Sequence, residues 1–202
     1  MSSYPWGLSH KHPGIETTGN QQVLRCKTQF HIRLDFVFLC RGGNFKICSD
    51  DDFLKVDEGK VPTLHCFSAM SNFNGRKYPL SWIQKLQSVS DSNFVLLDAA
   101  SYVSTNSLDL SKVSPDFVVM SFYKMFGYPT GLGALLVRNS SSGILEKNYF
   151  GGGTVDLALV RKNKQFHRQN LSQRLEDGTA DYLGSEILTK LFLKLKSVFW
   201  QW

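Results

Sequence analysis

The strongest constraint on the fold is a pair of continuous apolar runs, residues 94–98, which end in a carboxylate, and residues 116–122, which begin with one. Runs that do not alternate apolar with polar residues are typical of strands covered on both faces, as in a parallel sheet. A third run, residues 131–137, follows a segment, 123–130, that the sequence predicts to be a turn. The pattern therefore predicts an α/β fold.

A strand–helix–strand unit leads into these runs. Residues 63–70 favour a short strand, and Pro79 suits the first position of a helix. Apolar residues then recur at helical spacing from Leu80 to Leu86. With the strand at 94–98, these segments make one βαβ unit.

The chain divides into three parts on this basis. Residues 1–60 form an unassigned N-terminal segment, in which 35–40 are strand-like and 49–52 are predicted to be a polar turn. Residues 61–185 form the α/β domain. Residues 186–202 have apolar side chains at helical spacing with lysines beside them, which predicts an amphipathic helix. Such a helix more often packs on its own domain than on a membrane surface.

The apolar strand faces need a cover from elsewhere in the chain. The side chains concerned include Val95, Leu97, Val118 and Met120. We expect residues 187–202 and 35–40 to supply this cover, because they carry the largest unassigned apolar area. Without a cover, an apolar patch of several hundred Å² would remain and would favour aggregation or pairing.

Composition argues against several classes of protein. The longest apolar stretch, residues 30–40, is interrupted by Arg33 and Asp35, and no signal peptide is recognisable at the start. The four cysteines lie far apart without a C-x-x-C pair, so we expect reduced thiols, no metal site and a cytoplasmic protein. The net charge of +6 comes without a nucleic-acid motif, so we expect neither a nucleic-acid partner nor a membrane.

Two charged side chains follow the buried runs. Asp98 ends one run, and Lys124 lies two residues beyond the other, among aromatic residues. Taken singly, Asp98 suits a helix cap and Lys124 suits a surface lysine. Because parallel strands end at one edge, the two together are what a pyridoxal phosphate site needs. The carboxylate keeps the pyridine nitrogen protonated, and the lysine amine takes up the aldehyde.

Two glycine-containing motifs, residues 151–154 and 176–179, complete the candidates. Glycine lets a backbone approach a phosphate closely, and threonine adds hydroxyl and amide donors. Each motif on its own is equally consistent with an ordinary loop.

Taken together, these segments closely resemble the eukaryotic molybdenum cofactor sulfurases, which are class V aminotransferase-like enzymes similar to cysteine desulfurases. The resemblance covers about residues 63–180 and is carried by segments 68–75, 78–83, 96–105, 121–137, 149–154 and 174–179. It implies that residues 61–185 are part of the large domain of a fold-type-I pyridoxal phosphate transferase. Such a domain has a mixed, mostly parallel sheet with flanking helices.

The resemblance also implies a role for individual residues around the cofactor ring. Lys124 corresponds to the lysine that binds the cofactor aldehyde, and Asp98 to the partner of the pyridine nitrogen. Ser101 falls where desulfurases contact the ring oxygen. Asn72 falls near the ring oxygen and the substrate carboxylate.

Three more residues correspond to ligands of the cofactor phosphate. Ser121 and Tyr123 fall at phosphate-binding positions, although histidine is the common residue before the lysine. Thr179 resembles the phosphate ligand that reaches in from the other subunit of a homodimer. The resemblance thus implies a homodimer that binds pyridoxal 5'-phosphate.

The activity implied is transfer of sulfur from L-cysteine to a protein thiolate, with release of alanine, followed by sulfuration of the molybdenum cofactor. Neither the family's N-terminal phosphate ligands nor its sulfur-carrying cysteine is recognisable in this sequence. We therefore expect a fragment of the cofactor domain that does not complete the reaction alone. The alternatives are an inactive remnant that only binds the cofactor or dimerises, and a class V enzyme for another amino acid.

Overall fold

The fold is a mixed α/β structure, seen in a computed structural model that describes residues 37–41, 44–55, 62–128, 131–145, 150–162 and 164–199. The strands are β1 Val37–Arg41, β2 Asn44–Cys48, β3 Thr63–Ser68, β4 Asn93–Asp98, β5 Phe117–Ser121, β6 Gly133–Val137, β7 Val155–Leu159 and β8 Lys164–His167. The α-helices are α1 Asp50–Phe53, α2 Ser81–Val89, α3 Phe122–Phe126, α4 Leu171–Leu175 and α5 Tyr182–Phe199. Short 3₁₀ turns occupy Tyr102–Ser104, Asn139–Ile144 and Val160–Lys162.

Within these residues, six strands form one sheet in the order β2-β1-β3-β4-β5-β6. The pairs β3–β4 and β4–β5 are parallel, whereas β1 is antiparallel to both β2 and β3, and β6 is antiparallel to β5. Consequently β2, β3, β4 and β5 run in one direction. The expected α/β class with a mixed, mostly parallel sheet is confirmed. Strands β7 and β8 form a separate antiparallel pair.

The predicted elements differ from the observed ones mainly at their ends. Helix α2 begins at Ser81, two residues after Pro79. The run 116–122 is a strand only at Phe117–Ser121, and its last residue already belongs to α3. The prediction of a turn at 123–130 is therefore wrong for its first part, which is helical as far as Phe126. Residues 129 and 130 lie outside the described residues.

One face of the sheet is covered by α1 and α2. Phe53, the last residue of α1, is fully buried, and its ring lies 5.6, 5.7 and 5.5 Å from the rings of His65, Phe67 and Trp82. Aromatic pairs in these geometries contribute about 0.5–1.5 kcal/mol beyond their buried area. The cluster also contains Ala69, Ile83, Leu86, Val95 and Leu97. The polar turn predicted at 49–52 is therefore wrong, because it overlaps the helix that brings Phe53 into the core.

The expectation that residues 35–40 cover a face of the sheet is wrong for residues 37–40, whereas the cover expected from residues 187–202 stays a prediction. Strand β1 is itself part of the sheet, paired between β2 and β3, so it does not cover a face of it. Residues 35 and 36 lie outside the described residues. The helix predicted at residues 186–202 is confirmed as far as Phe199, where α5 ends, and residues 200–202 lie outside the described residues. Its Phe192, however, packs against α3, where the ring contacts those of Phe122 and Phe126. None of the helices within the described ranges combines the length and hydropathy needed to cross a membrane.

A buried carboxylate joins several elements at the amino ends of the strands. Asp116 is 4% exposed, and its carboxylate accepts hydrogen bonds from Val95 N–H at 2.8 Å, Gln87 Nε2 at 2.9 Å and Ser141 Oγ at 2.6 Å. These donors come from β4, α2 and the 3₁₀ turn that follows β6. Asp116 thereby holds the helix and the turn against the strands.

Replacing this carboxylate by an amide should destabilise the fold. In Asp116→Asn the amide group presents its own donors to some of the same donor groups, so at least one buried hydrogen bond is lost at a cost of about 1–3 kcal/mol. The measurement is the free energy of unfolding by urea. The matched control is Asp91→Asn, an exposed residue expected to change it by less than about 0.5 kcal/mol. Equal effects in the two variants would contradict the role assigned to Asp116.

Stability should also fall in mild acid because of His65. Its side chain is buried, Nε2 lies 3.3 Å from Asn93 Oδ1, and Nδ1 has no partner among the described residues. Burial lowers the pKa of His65 below its ordinary value. The unfolded chain therefore takes up a proton at a higher pH than the folded chain, and stability declines as the pH falls below about 6.5.

The free energy of unfolding, measured between pH 7.5 and 5.5, checks this expectation. His65→Phe removes the titrating group and should flatten the pH dependence. A variant with the same pH dependence as the original chain would assign the effect to another group.

Candidate functional site

The carboxyl ends of β3, β4 and β5 meet at one edge of the sheet. Asp98, the last residue of β4, is aligned with Ser68 on β3 and Val119 on β5. Its side chain is half-buried, and Oδ1 accepts the N–H of Ala100 at 2.9 Å. Asp98 therefore stabilises the turn that leaves the strand, while it remains at the edge where ligands bind in open α/β sheets.

Lys124 makes contact with two other predicted site residues. Its Nζ donates to Asn72 Oδ1 at 2.9 Å and to Ser101 Oγ at 3.1 Å. The Ser101 hydroxyl in turn donates to Asn72 Oδ1. The three side chains come from the segments that follow β5, β3 and β4, so the shared edge of the parallel strands brings them together.

Helix α3 has two faces with different tasks. Phe122 and Phe126 are four residues apart and therefore share one face of the helix. Their rings meet Phe192 of α5 edge-on, at 5.8 and 5.1 Å between centroids. Lys124 lies midway between them in sequence and so projects from the opposite side. Gly127, with φ of 76°, ends the helix and donates its N–H to the carbonyl of Tyr123.

The loop that carries Asn72 is held by its own side chains. Ser71 is buried, and its Oγ accepts the N–H groups of Phe73 at 3.2 Å and Asn74 at 3.4 Å. Asn72 is thus exposed yet fixed between Ser71 and its contact with Lys124. The sequence analysis missed the role of Ser71. The pair Asn74-Gly75, three residues after Ser71, is a turn signal that indicates it.

The three predicted phosphate ligands do not join this contact. Ser121 is the half-buried last residue of β5, Tyr123 is exposed on α3, and Thr179 is exposed between α4 and α5. In the described part of the chain, none of them makes a hydrogen bond to Lys124. Ser121 and Tyr123 nevertheless lie within three residues of the lysine, at the same edge.

The side chains at this edge fit the chemistry of pyridoxal phosphate. Lys124 offers an amine for the aldehyde, and Ser101 and Asn72 offer polar groups next to that amine. Asp98 offers a carboxylate for the ring nitrogen at the same edge. The aldehyde and the ring nitrogen thus each have a chemically suitable partner at this edge, whereas the phosphate has none within the Lys124 contact.

Comparison with protein families gives a match that covers most of the chain. The family described as aminotransferase class V matches residues 25–195. The match begins within residues 1–60, the segment for which the sequence predicts no domain.

A human protein named molybdenum cofactor sulfurase is 53% identical to this chain over 131 residues. The aligned part is 61% of this chain and 15% of the human protein, so the chain spans a small fraction of that relative's length.

Solved structures share the fold. The cysteine desulfurase CsdA from Escherichia coli superposes with a TM-score of 0.53 at 23% identity, over 60% of this chain and 29% of that one. A C-DES mutant with glycine covalently linked to its PLP cofactor gives a TM-score of 0.54 at 22% identity, over 66% and 35% of the two chains. At this level of identity the likeness concerns the fold alone. The chain therefore belongs to the class V aminotransferase family and is similar, within it, to the molybdenum cofactor sulfurases.

Proposed function

We propose that this chain is the cofactor-binding part of a pyridoxal-phosphate-dependent sulfurase that takes sulfur from L-cysteine for the molybdenum cofactor. The observation that carries the proposal is the contact of the Lys124 amine with Asn72 and Ser101 at the carboxyl edge of the sheet. The similarity to molybdenum cofactor sulfurases supports the choice of substrate.

The residues around the ring divide the work. Lys124 supplies the amine that captures the cofactor aldehyde. Ser101 and Asn72 orient that amine. The Ser101 hydroxyl accepts a hydrogen bond from Lys124 Nζ while it donates one to Asn72 Oδ1. Asp98 would hold the proton on the ring nitrogen. With that proton in place, the bound ring supplies an electron sink for bond cleavage in the amino acid substrate.

The phosphate end of the site would be completed by a second copy of the chain. Ser121 and Tyr123 would bind the phosphate from one subunit, and Thr179 would reach the partner's cofactor. Tyr182 and Leu183, just beyond Thr179, are 75% and 76% exposed. Exposed aromatic and aliphatic side chains beside a polar ligand are typical of the centre of a protein interface, which supports a homodimer.

The sulfur of cysteine would pass to a protein thiolate, which becomes a persulfide while the amino acid leaves as alanine. Cys66 does not suit this role, because its side chain is buried in the sheet, where thiols are inert. A second candidate function is a cofactor-binding domain without turnover of its own, because the sulfur-carrying cysteine of the sulfurases is not recognisable in this sequence. Cysteine-dependent alanine release by the purified chain with pyridoxal phosphate separates the two candidates.

Replacing Lys124 should abolish covalent capture of the cofactor. We expect the original chain to develop visible absorbance with pyridoxal phosphate, and reduction with borohydride to fix the label on Lys124. Lys124→Ala should lose both signals, because its amine is the one held at the carboxyl edge. Lys112→Ala is the control, since that lysine is exposed and pairs with Asp109. A persistent label on another lysine in Lys124→Ala would overturn the assignment.

Loosening α3 should weaken cofactor binding without touching the lysine. Phe192→Ala removes the edge-on contacts with Phe122 and Phe126, so we expect the dissociation constant for pyridoxal phosphate to rise about 2- to 10-fold. Leu193→Ala is the matched control, because that neighbour is 61% exposed. The measurement is an absorbance titration of both variants. Equal constants for the two would show that α5 does not position Lys124.

A further inference from the structure

The two glycine-containing motifs, 151–154 and 176–179, are bound to each other. Asp177 Oδ1 accepts the N–H of Gly151 at 2.6 Å and lies 3.4 Å from Thr154 Oγ1. In the same contact, the N–H of Gly178 donates to the carbonyl of Gly152 at 3.0 Å. We call this set of contacts between the two loops the glycine clasp.

The glycine clasp is anchored in the body of the protein. Thr154 is fully buried, its Oγ1 donates to the carbonyl of Gly151 at 2.9 Å, and its own carbonyl accepts the N–H of Arg168 at 3.1 Å. The loop 151–154 is therefore tied to the segment that leaves β8. Asp177 is exposed, but its carboxylate reaches this fixed loop.

The glycines are required by the clasp itself. A Cβ on Gly151 would lie 2.6 Å from the Cβ of Asp177, so a larger residue there would push the loops apart. Gly153 and Gly178 both have φ of 86°, which side-chain-bearing residues adopt only with strain. These positions thus serve contact between two loops, which the sequence alone could not distinguish from a phosphate cradle.

The clasp determines where Thr179 is held. Thr179 follows Gly178 directly, so one side of it is pinned by the clasp. On the other side, Asp181 Oδ1 accepts the N–H of Gly184 at 2.9 Å at the start of α5. An exposed threonine is thereby fixed between two anchored points, which lowers the entropy lost when its hydroxyl binds a ligand.

We propose that Asp177 is a positioning residue that acts through the glycine clasp to hold Thr179 ready for the phosphate of pyridoxal phosphate. The inference rests on the proposed function, since it takes Thr179 as a phosphate ligand. The negative charge of Asp177 by itself would weaken phosphate binding, because a carboxylate repels a phosphate. In this role the carboxylate accepts the hydrogen bond from Gly151 N–H in the facing loop.

The substitution Asp177→Asn has two opposite expected effects on the affinity for pyridoxal phosphate, one through charge and one through the position of Thr179. Removing a negative charge alone would tighten phosphate binding. In Asp177→Asn the amide oxygen can still accept from Gly151 N–H, but without the negative charge the hydrogen bond is weaker, so the clasp loosens and we expect about a two- to fivefold rise in the dissociation constant for pyridoxal phosphate. The matched control is Glu176→Gln, which removes the same charge one residue away, where no side-chain contact with the clasp exists. The control should bind as well as the original chain or slightly better.

Pyridoxal, which lacks the phosphate, separates this role from general damage. Its dissociation constant should be unchanged in Asp177→Asn, while that of pyridoxal phosphate rises. Gly151→Ala breaks the clasp from the other loop and should produce the same phosphate-selective loss. In the background of Thr179→Val, the further change Asp177→Asn should have no additional effect on phosphate selectivity.

Each outcome of the titrations decides something. Tighter binding of pyridoxal phosphate to Asp177→Asn, or equal losses for both aldehydes, would overturn the positioning role while leaving the proposed function intact. Absence of any visible absorbance with the original chain would overturn the proposed function, and the inference with it. Circular dichroism of each variant shows whether it is folded under the conditions of the titration.

Discussion

The parallel pairing of β4 with β3 and β5 is the constraint on which the rest of the structure depends. Its register places Asp98 level with Ser68 and Val119, so three chain segments leave the sheet from one edge. Those segments carry Asn72, Ser101 and Lys124. Because a shift of one residue would send the strand's side chains to the opposite face, the apolar pattern of the strands also maintains the geometry of the site.

The two ends of these strands have separate tasks. At the amino ends, Asp116 accepts three hydrogen bonds in a buried setting and holds α2 and a 3₁₀ turn in place. At the carboxyl ends, Asp98, Ser101 and Lys124 are half-buried and Asn72 is exposed, so a ligand can reach them. The buried carboxylate of Asp116 thus lies at the opposite end of the strands from the groups that carry the proposed chemistry.

Much of this arrangement could be predicted from local patterns. Continuous apolar runs predict β4 and β5, and the direction of those strands places Asp98 and Lys124 at one edge. The contact of Lys124 with Asn72 spans 52 residues, so no local pattern specifies it, and only the family resemblance placed both residues in one site. The sequence does not predict the burial of Phe53, because the three aspartates before it are typical of a turn and its burial depends on rings from two other elements, β3 and α2. The spacing in α5 predicts a helix but does not identify α3 as the surface on which Phe192 packs.

The hydrogen bonds of Asn72 also determine the chemical polarity of the site. Its amide oxygen accepts hydrogen bonds from both Lys124 and Ser101, and this fixes which way the amide plane is turned. With the oxygen occupied, the amide nitrogen is the group left to face an incoming molecule, and it can only donate. The Lys124 Nζ next to it is also a hydrogen-bond donor. A molecule that approaches this edge therefore meets hydrogen-bond donors at Asn72 and Lys124 and an acceptor at the Asp98 carboxylate.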